Sequence, residues 1–483
     1  MFFNSYPFLF LFLPLFLVSW QTVALLRPQF LIYVPLSFSL AFYAYWSGPF
    51  LFLLLGMIAM NLAFAHLLIW HRQAAPGAIA RQRHILILGL LLNLLPLIWF
   101  KYSFFITQNL SLLLDLSLRF LPPDLPLGIS FYTFIQIAWL ISVYRGEEAM
   151  GPIPEHIVFG CAFPYVISGP IVRQGQLGWQ LGRLRPLTSE GLARGFTLFA
   201  MGLFKKAVIA DSIGRYADAV FGAATKNWPL SGGEAWLGSL CYTFQLYFDF
   251  SGYTDMALGI GLMVGLRLPQ NFNSPYKATG IVDFWRRWHI TLSSWLRDFL
   301  YIPMGGNRRG RLCQYRNLFL TMFIGGAWHG AGWTFIIWGA LHGAMLGINH
   351  FFRASIRGTA VERSLAHAPV RLFFIVFTFL CLNFCWVIFR APDLNAAAAM
   401  YEAMLTGTLT LSNNYFPHWQ PFALLALAGT LCWGCPNSQE ILENDRGMIH
   451  WRPTGAWAIA MALAAFISLA MLSQRSTFLY FQF

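Results

Sequence analysis

The side chains best suited to chemistry in this chain of 483 residues are two histidines, His329 in the run GGAWHGAGW and His289 in FWRRWHITLSSWL. Gly325, Gly326, Ala327, Gly330, Ala331 and Gly332 surround His329, so the backbone there can bend or admit a substrate closely. An imidazole, with an unperturbed pKa of about 6.5, can take the proton of a hydroxyl as that oxygen attacks a thioester carbonyl. A neutral base is also cheaper to bury than a carboxylate. These points make His329 the candidate general base. His342, in the next apolar run, is read instead as a hydrogen-bond partner between helices.

Other polar side chains interrupt the apolar runs between Cys241 and His350, where a charge costs at least ~2.5 kcal/mol on insertion scales. Asp249 and Asp255 lie six residues apart in YFDFSGYTD, with Gly252 between them. They either bond to neighbouring Arg or Tyr side chains or serve a substrate, and the residues alone leave both open. In the run that starts at Asp283, Trp285, Trp288, Leu292, Trp295 and Phe299 recur at steps of three and four, which predicts an amphipathic helix ended by Pro303, Gly305 and Gly306. Arg286, His289, Ser293 and Arg297 form a polar stripe on that helix. Tryptophans beside basic groups suit a helix at, or dipping from, the membrane interface. Its cationic stripe is either an anchor or the border of an entrance for an anionic acyl donor, since arginine suits phosphate groups.

Other chemistries lose their usual support. There is no G-x-S-x-G elbow, no Walker A loop and no H-E-x-x-H, and no metal site is expected. The seven cysteines are scattered, most of them in apolar runs, and imply no disulfide framework. Cys432 and Cys435 make a C-x-x-C outside the strand-to-helix setting of a redox site, and are read as a buried pair.

The elements that must position these groups are membrane helices. With 57% hydrophobic and 11% charged residues, and a mean hydropathy of +0.57, the chain has under half the roughly 25% charge of a soluble domain, which excludes a water-soluble globule. The net charge of +13 lies in short loops between apolar runs, as the positive-inside rule describes, so no nucleic-acid partner is expected. Apolar spans are read at residues 7–26, 30–46, 50–70, 85–105, 128–143, 157–171, 195–210, 236–265, 317–350 (more than one helix), 371–390, 421–435 and 454–473, or about ten to twelve helices. Because no basic residue precedes Arg27, Met1 to Trp20 is read as a retained first helix. The Arg-rich segments Arg72 to His84, Arg173 to Arg194, Arg308 to Arg316 and Arg353 to Arg371 are expected in the cytoplasm, and three spans from an outside N-terminus put Arg72 there. Asp115 to Asp124 and Asn413 to His418 are expected on the far side. Gly339, Gly343 and Gly347 form a small-xxx-small face for close helix packing, with His342 and Asn349 on another face. No convincing internal repeat is found, which weakens a reading as a secondary transporter and favours one helical membrane body.

With these residues the sequence resembles the membrane-bound O-acyltransferase (MBOAT) family, and within it the branch of the alginate O-acetyltransferase membrane subunit and its cellulose-acetylating relatives. The resemblance covers most of the chain. It is carried by PLGISFYTF from Pro126, FPYVISGPIVR from Phe163, LYFDFSGYTDMA from Leu246, NFNSPY from Asn271, FWRRWHITLSSWLRDFLYIPMGG from Phe284, GGAWHGAGWTFIIWGALHG from Gly325 and FLYFQF from Phe478. It implies an all-α polytopic fold, a ring of about ten to twelve transmembrane helices with interfacial or re-entrant helices around a central tunnel. A single domain over residues 1–483 is implied, with N-terminal helices in 1–125, a catalytic core in about 126–350 and C-terminal helices in 371–483. The family's invariant histidine falls on His329 and its second on His289. Arg286, Arg297, Asp249, Asp255, Asn271, Trp328 and His342 are the candidates for substrate or donor contact.

The activity implied is transfer of an acetyl group from a cytoplasmic donor, acetyl-CoA, across the membrane for O-acetylation of a secreted exopolysaccharide of alginate or cellulose type. Acetyl-CoA is then a substrate, and no bound cofactor is implied. The setting implied is the bacterial inner membrane, with the N-terminus in the periplasm, membrane lipid around the helices, and periplasmic proteins completing transfer to the polysaccharide. Ser355 to Arg371 and Asn395 to Gln420 carry no family motif and are expected to hold partner specificity. Two rivals remain. One is transfer of another acyl group, such as D-alanyl from a carrier-protein thioester; the other is a channel or flippase for polymer or lipid-linked precursor without acyl chemistry.

Overall fold

The structure, a computed structural model, describes residues 2–74, 77, 79–115, 120–411, 415–416, 418–444, 447, 449–472 and 479. In lipid an apolar chain must satisfy its peptide groups internally, and among the described residues it does so with helices and no strands. Five stretches are long and apolar enough to cross a membrane: Phe8–Leu26, Pro28–Ala74, Ile79–Leu114, Trp333–Ile356 and Ala368–Arg390. Gln420–Gly434 and Gly455–Met471 are shorter apolar helices.

The chain forms two compact units. The first comprises Met1–Phe199 and Thr254–Pro269. Its helices are α1 (Leu13–Leu26), α2 (Tyr33–Ser47), α3 (Leu51–Ala74), α4 (Ile79–Leu97), α5 (Ser103–Leu114), α6 (Ile129–Arg145), α7 (Ile153–Cys161) and α8 (Gln174–Leu181). Where α3 packs on α4, the fully buried Asn61 and Asn93 exchange two 2.9 Å hydrogen bonds, so neither amide is left unsatisfied. The apolar run 157–171 is not the single span its hydropathy predicts. After Cys161 the chain continues in turns, because Pro164 and Pro170 lack the N–H that a helix needs.

The second unit comprises Ala200–Tyr253 and Gln270–Phe483. It takes in the end of α9 (Ser189–Phe204), a π-helical stretch Lys205–Ala210, α10 (Asp211–Thr225) and most of α11 (Gly232–Met263). There follow α12 (Ile281–Trp285), α13 (Ile290–Leu296), α14 (Arg311–His329), α15 (Trp333–Ile356), α16 (Ala360–Ser364), α17 (Ala368–Arg390), α18 (Leu394–Thr406), α19 (Gln420–Gly429), α20 (Ser438–Glu443) and α21 (Gly455–Met471). The apolar run 317–350 is thus two helices, parted at Gly330–Gly332.

Helices α14 and α15 fold back on each other with backbones nearly touching. A Cβ on Gly326 would stand 2.4 Å from the Phe335 carbonyl oxygen and 2.8 Å from Gly339 Cα, and one on Gly339 would stand 2.4 Å from the Met322 carbonyl oxygen. Gly343 continues this face, where a Cβ would stand 2.8 Å from Phe319 Cα, whereas one on Gly347 would meet nothing within 4 Å. The predicted glycine face is therefore used at two of its three positions, and the helices have diverged by the third. Part of the segments Asp115 to Asp124 and Asn413 to His418, and all of the closing FLYFQF except Leu479, lie outside the described residues.

Candidate active site

His289 owes its position to a break in the helix expected from Asp283. In a continuous helix the Ile290 N–H would bond back to Arg286; instead it donates to the Asn271 carbonyl at 2.9 Å, and the Asn273 N–H donates to the Arg287 carbonyl at 2.9 Å. The NFNSPY loop thus competes for the peptide groups that would have carried the helix through. His289 takes a left-handed backbone, φ +44°, a conformation costing a non-glycine residue about 1–3 kcal/mol and found most often at functional sites. The polar stripe divides as a result. His289 turns inward and is fully buried, while Arg286 and Arg297 stay exposed.

Asn271, also fully buried, sets the chemical state of His289. Its Oδ1 accepts from the Thr291 N–H at 3.2 Å and the Thr291 hydroxyl at 2.9 Å, which identifies that atom as the amide oxygen, and it lies 3.1 Å from His289 Nδ1. An oxygen there requires Nδ1 to carry the proton. The neutral imidazole then keeps its lone pair on Nε2, the form of a general base or hydroxyl acceptor. Asn271 is held through its neighbours: Asn437 Nδ2 donates to Asn273 Oδ1 and Ser274 Oγ, both at 3.0 Å, and the Tyr276 hydroxyl donates to the Thr243 carbonyl at 2.7 Å.

His329 closes α14, where Gly330 leaves the helix in an extended conformation, and is 6% exposed. Its ring packs edge-on against Trp328, Trp338 and Phe389 at centroid distances of 5.0, 5.1 and 5.3 Å. Trp328 also packs against His289 at 6.4 Å, so one indole touches both imidazoles. Phe250 covers the other histidine at 4.8 Å. His342 sits apart from this pair. Its Nδ1 accepts from Trp285 Nε1 at 3.2 Å, tying α15 to α12 as the reading of a helix-bridging partner anticipates.

A cavity of about 500 Å³ opens beside these aromatics, lined by Arg286, Arg297, Ser293, Thr321 and Trp285. Asp298 hydrogen-bonds the Arg297 guanidinium at 2.7 Å and raises its pKa further, so this side chain stays cationic. Neither His289 nor His329 lines the cavity. Trp285, on its wall, is in ring contact with Trp338 at 5.9 Å, and Trp338 in turn with His329 at 5.1 Å.

Asp249 belongs to a separate buried cluster. Lys206 Nζ lies 2.6 Å from Asp249 Oδ1 and 2.7 Å from Asp211 Oδ1, all three side chains being under one-tenth exposed. Asp249 Oδ2 also accepts the Leu479 N–H at 3.0 Å. Asp255 is buried in the first unit, about 240° further round α11 at 3.6 residues per turn. The histidines, Asn271 and Trp328 thus come together, Arg286 and Arg297 share the adjoining cavity, and Asp249 is held by Lys206 instead. Sequence reasoning passed over Lys206 and Asp211, although a lysine within an apolar stretch is itself a signal. It passed over Thr291, Trp338 and Phe389 as well, which only tertiary packing brings to the site. All seven cysteines are free thiols.

The model of the membrane-bound O-acyltransferase family matches residues 137–389. The chain is 43% identical over 421 residues to a protein of Azotobacter vinelandii named probable alginate O-acetylase AlgI, covering 86% of this chain and 80% of the relative. It is 38% identical over 499 residues to a peptidoglycan O-acetyltransferase of Helicobacter pylori, covering 92% and 90%. A teichoic acid D-alanyltransferase of Bacillus subtilis is more distant, 29% identical over 277 residues and covering 53% of this chain.

Proposed function

Since this chain belongs to the membrane-bound O-acyltransferase family and is a multi-pass membrane enzyme, we propose that it O-acetylates a cell-envelope polysaccharide from a thioester donor. The relatives named for alginate and peptidoglycan acetylation support an acetyl group and a polysaccharide acceptor. The D-alanyl alternative is supported more distantly, by relatives about 30% identical over roughly half of this chain. The family and the relatives named as acetylating enzymes favour acyl chemistry over a channel or flippase.

One observation carries the reading: two buried imidazoles meet on the indole of Trp328, one with its Nδ1 proton committed to Asn271, beside a cavity bearing two arginines. The donor is acetyl-CoA, its phosphates held by Arg286 and Arg297 in a bidentate manner. Its thioester arm reaches the histidines once Trp285 and Trp338 part. His329 takes the proton of the acceptor hydroxyl as the oxygen bonds to the thioester carbonyl carbon. The tetrahedral intermediate collapses with cleavage of the carbon–sulfur bond, and the proton passes to the thiolate, leaving an ester and a free thiol. His289 Nε2 accepts a hydrogen bond from a second, neighbouring hydroxyl of the acceptor and so orients the one that reacts. The enzyme sits in the bacterial inner membrane with its N-terminus outside, the donor arrives from the cytoplasm, and periplasmic proteins finish delivery to the polymer.

The test is reconstitution in liposomes with radiolabelled acetyl-CoA. Wild-type protein releases thiol and transfers label, and His329→Ala, inserted and folded, loses about 10²- to 10⁴-fold in rate. Normal turnover by His329→Ala refutes the assignment of the base. Label transferred only from a carrier-protein thioester would favour the D-alanyl reading, and no label released with all partners present would favour transport.

A further inference from the structure

Away from the histidines, unneutralised charge gathers where α15 ends and α17 begins. Arg353 lies in the last turn of α15 and Arg371 in the first turn of α17, and both line a cavity of about 320 Å³ with Lys277 and Arg287. One carboxylate faces the same cavity, Asp283, and Arg287 Nε already holds it at 2.8 Å. Lys277 Nζ donates to the Cys435 carbonyl at 2.7 Å, which orients the ammonium without cancelling its charge. Among the described residues no carboxylate lies within ion-pair distance of Arg353 or Arg371. Arg371 is placed against the macrodipole of α17 as well, whose N-terminus favours an anion. Four cations converging on a hollow with one committed counter-charge form an arrangement that an anion relieves.

The rim indicates what bears that anion. Phe351 on α15 and Leu372 and Phe373 on α17 stand 62%, 61% and 61% exposed beside the cavity, and Phe352 and Phe374 form part of its wall. A free phosphate makes no use of such a surface, whereas a phospholipid presents its phosphate and its acyl chains in this order. The volume, at the low end of the ~300–1,000 Å³ of small-molecule pockets, takes a headgroup and leaves the chains outside. We propose that this is a headgroup site for an anionic phospholipid, with the phosphodiester seated between Arg353, Arg371 and Lys277 and the acyl chains lying along Phe351, Leu372 and Phe373. Basic pockets between membrane helices suit such headgroups. The site is independent of the acyl-transfer reading, because it uses neither histidine and none of the arginines of the donor cavity.

Native mass spectrometry of the detergent-purified full chain, titrated with phosphatidylglycerol or phosphatidylcholine, tests this. The wild type is expected to retain phosphatidylglycerol at least tenfold more tightly than phosphatidylcholine, and Arg353→Gln/Arg371→Gln to bind it about thirtyfold more weakly than the wild type. Arg308→Gln/Arg309→Gln, which removes the same charge outside the cavity, should bind like the wild type. Equal retention of the two lipids, an Arg353→Gln/Arg371→Gln protein that binds phosphatidylglycerol normally, or displacement of the lipid by millimolar inorganic phosphate would each overturn the proposal. Thermal unfolding of each variant, followed by tryptophan fluorescence, separates lost binding from lost fold.

Discussion

Replacing Asn271 offers a direct probe of how the site chooses its tautomer. Asn271→Ala removes the oxygen that holds His289 Nδ1–H at 3.1 Å, together with the acceptor for both Thr291 donors. A buried donor without a partner costs about 1–3 kcal/mol, so the tautomer with its lone pair on Nε2 becomes scarcer by about five- to 150-fold. The turnover of labelled donor in liposomes should fall by that factor. Asn271→Asp keeps the accepting oxygen, and Nδ2, which it loses, has no hydrogen-bond partner among the described residues. That variant should recover most of the rate with an altered pH dependence. A carboxylate beside the ring stabilises imidazolium and raises the His289 pKa, so the acidic limb of the rate profile must move to higher pH. Thr291→Val, which removes one donor to Asn271 and leaves the His289 bond, serves as the packing control. A folded Asn271→Ala enzyme working at the normal rate would refute the reasoning, as would an Asn271→Asp enzyme whose pH profile superimposes on that of the wild type.

Three further outcomes are expected. If the two histidines act as a unit on Trp328, the His289→Ala/His329→Ala enzyme should be no slower than His329→Ala alone, and multiplicative losses in steady-state kinetics would show that they act separately. Arg286→Gln/Arg297→Gln should raise KM for the anionic donor with little change in kcat, whereas a fall in kcat at unchanged KM would remove these arginines from the donor cavity. Lys206→Met strands two buried carboxylates and should destabilise the protein by about 3–5 kcal/mol in thermal unfolding, with Lys206→Met/Asp211→Asn/Asp249→Asn recovering most of the loss; equal stability of the single and triple variants would deny the cluster its role.

Much of this architecture was legible in the sequence because hydropathy and glycine spacing are local quantities. The spans around residues 7–26, 85–105 and 371–390 fall on helices, and Gly339 and Gly343 meet α14 as their spacing predicts. Periodicity misled where a distant segment competed for the same peptide groups. Trp285 to Phe299 satisfies a helical pattern throughout, yet the Asn271 carbonyl captures the Ile290 N–H and the Asn273 N–H captures the Arg287 carbonyl, and the helix breaks there. Likewise the residues alone left Asp249 either to a neighbouring Arg or Tyr or to a substrate, but Lys206, 43 positions earlier, is its partner.

The break at His289 also accounts for the residue types around the site. A histidine on an unbroken amphipathic helix would share a face with Arg286, about one turn away, and Arg297, about two, and would lie among charged, hydrated groups that compete with an acceptor for its ring nitrogen. Turning the backbone to φ +44° carries the imidazole into an aromatic interior and leaves the arginines in the cavity. The same NFNSPY loop that forces the turn supplies the oxygen that selects the tautomer, so conformation and protonation state are set by one residue, Asn271, through its backbone carbonyl and its side chain. The indoles of Trp285, Trp328 and Trp338 then fill space that charged side chains would otherwise flood with water, which a thioester must be kept from. An orienting imidazole and cations for an anionic donor are thereby held as near neighbours in sequence and as separate environments in space.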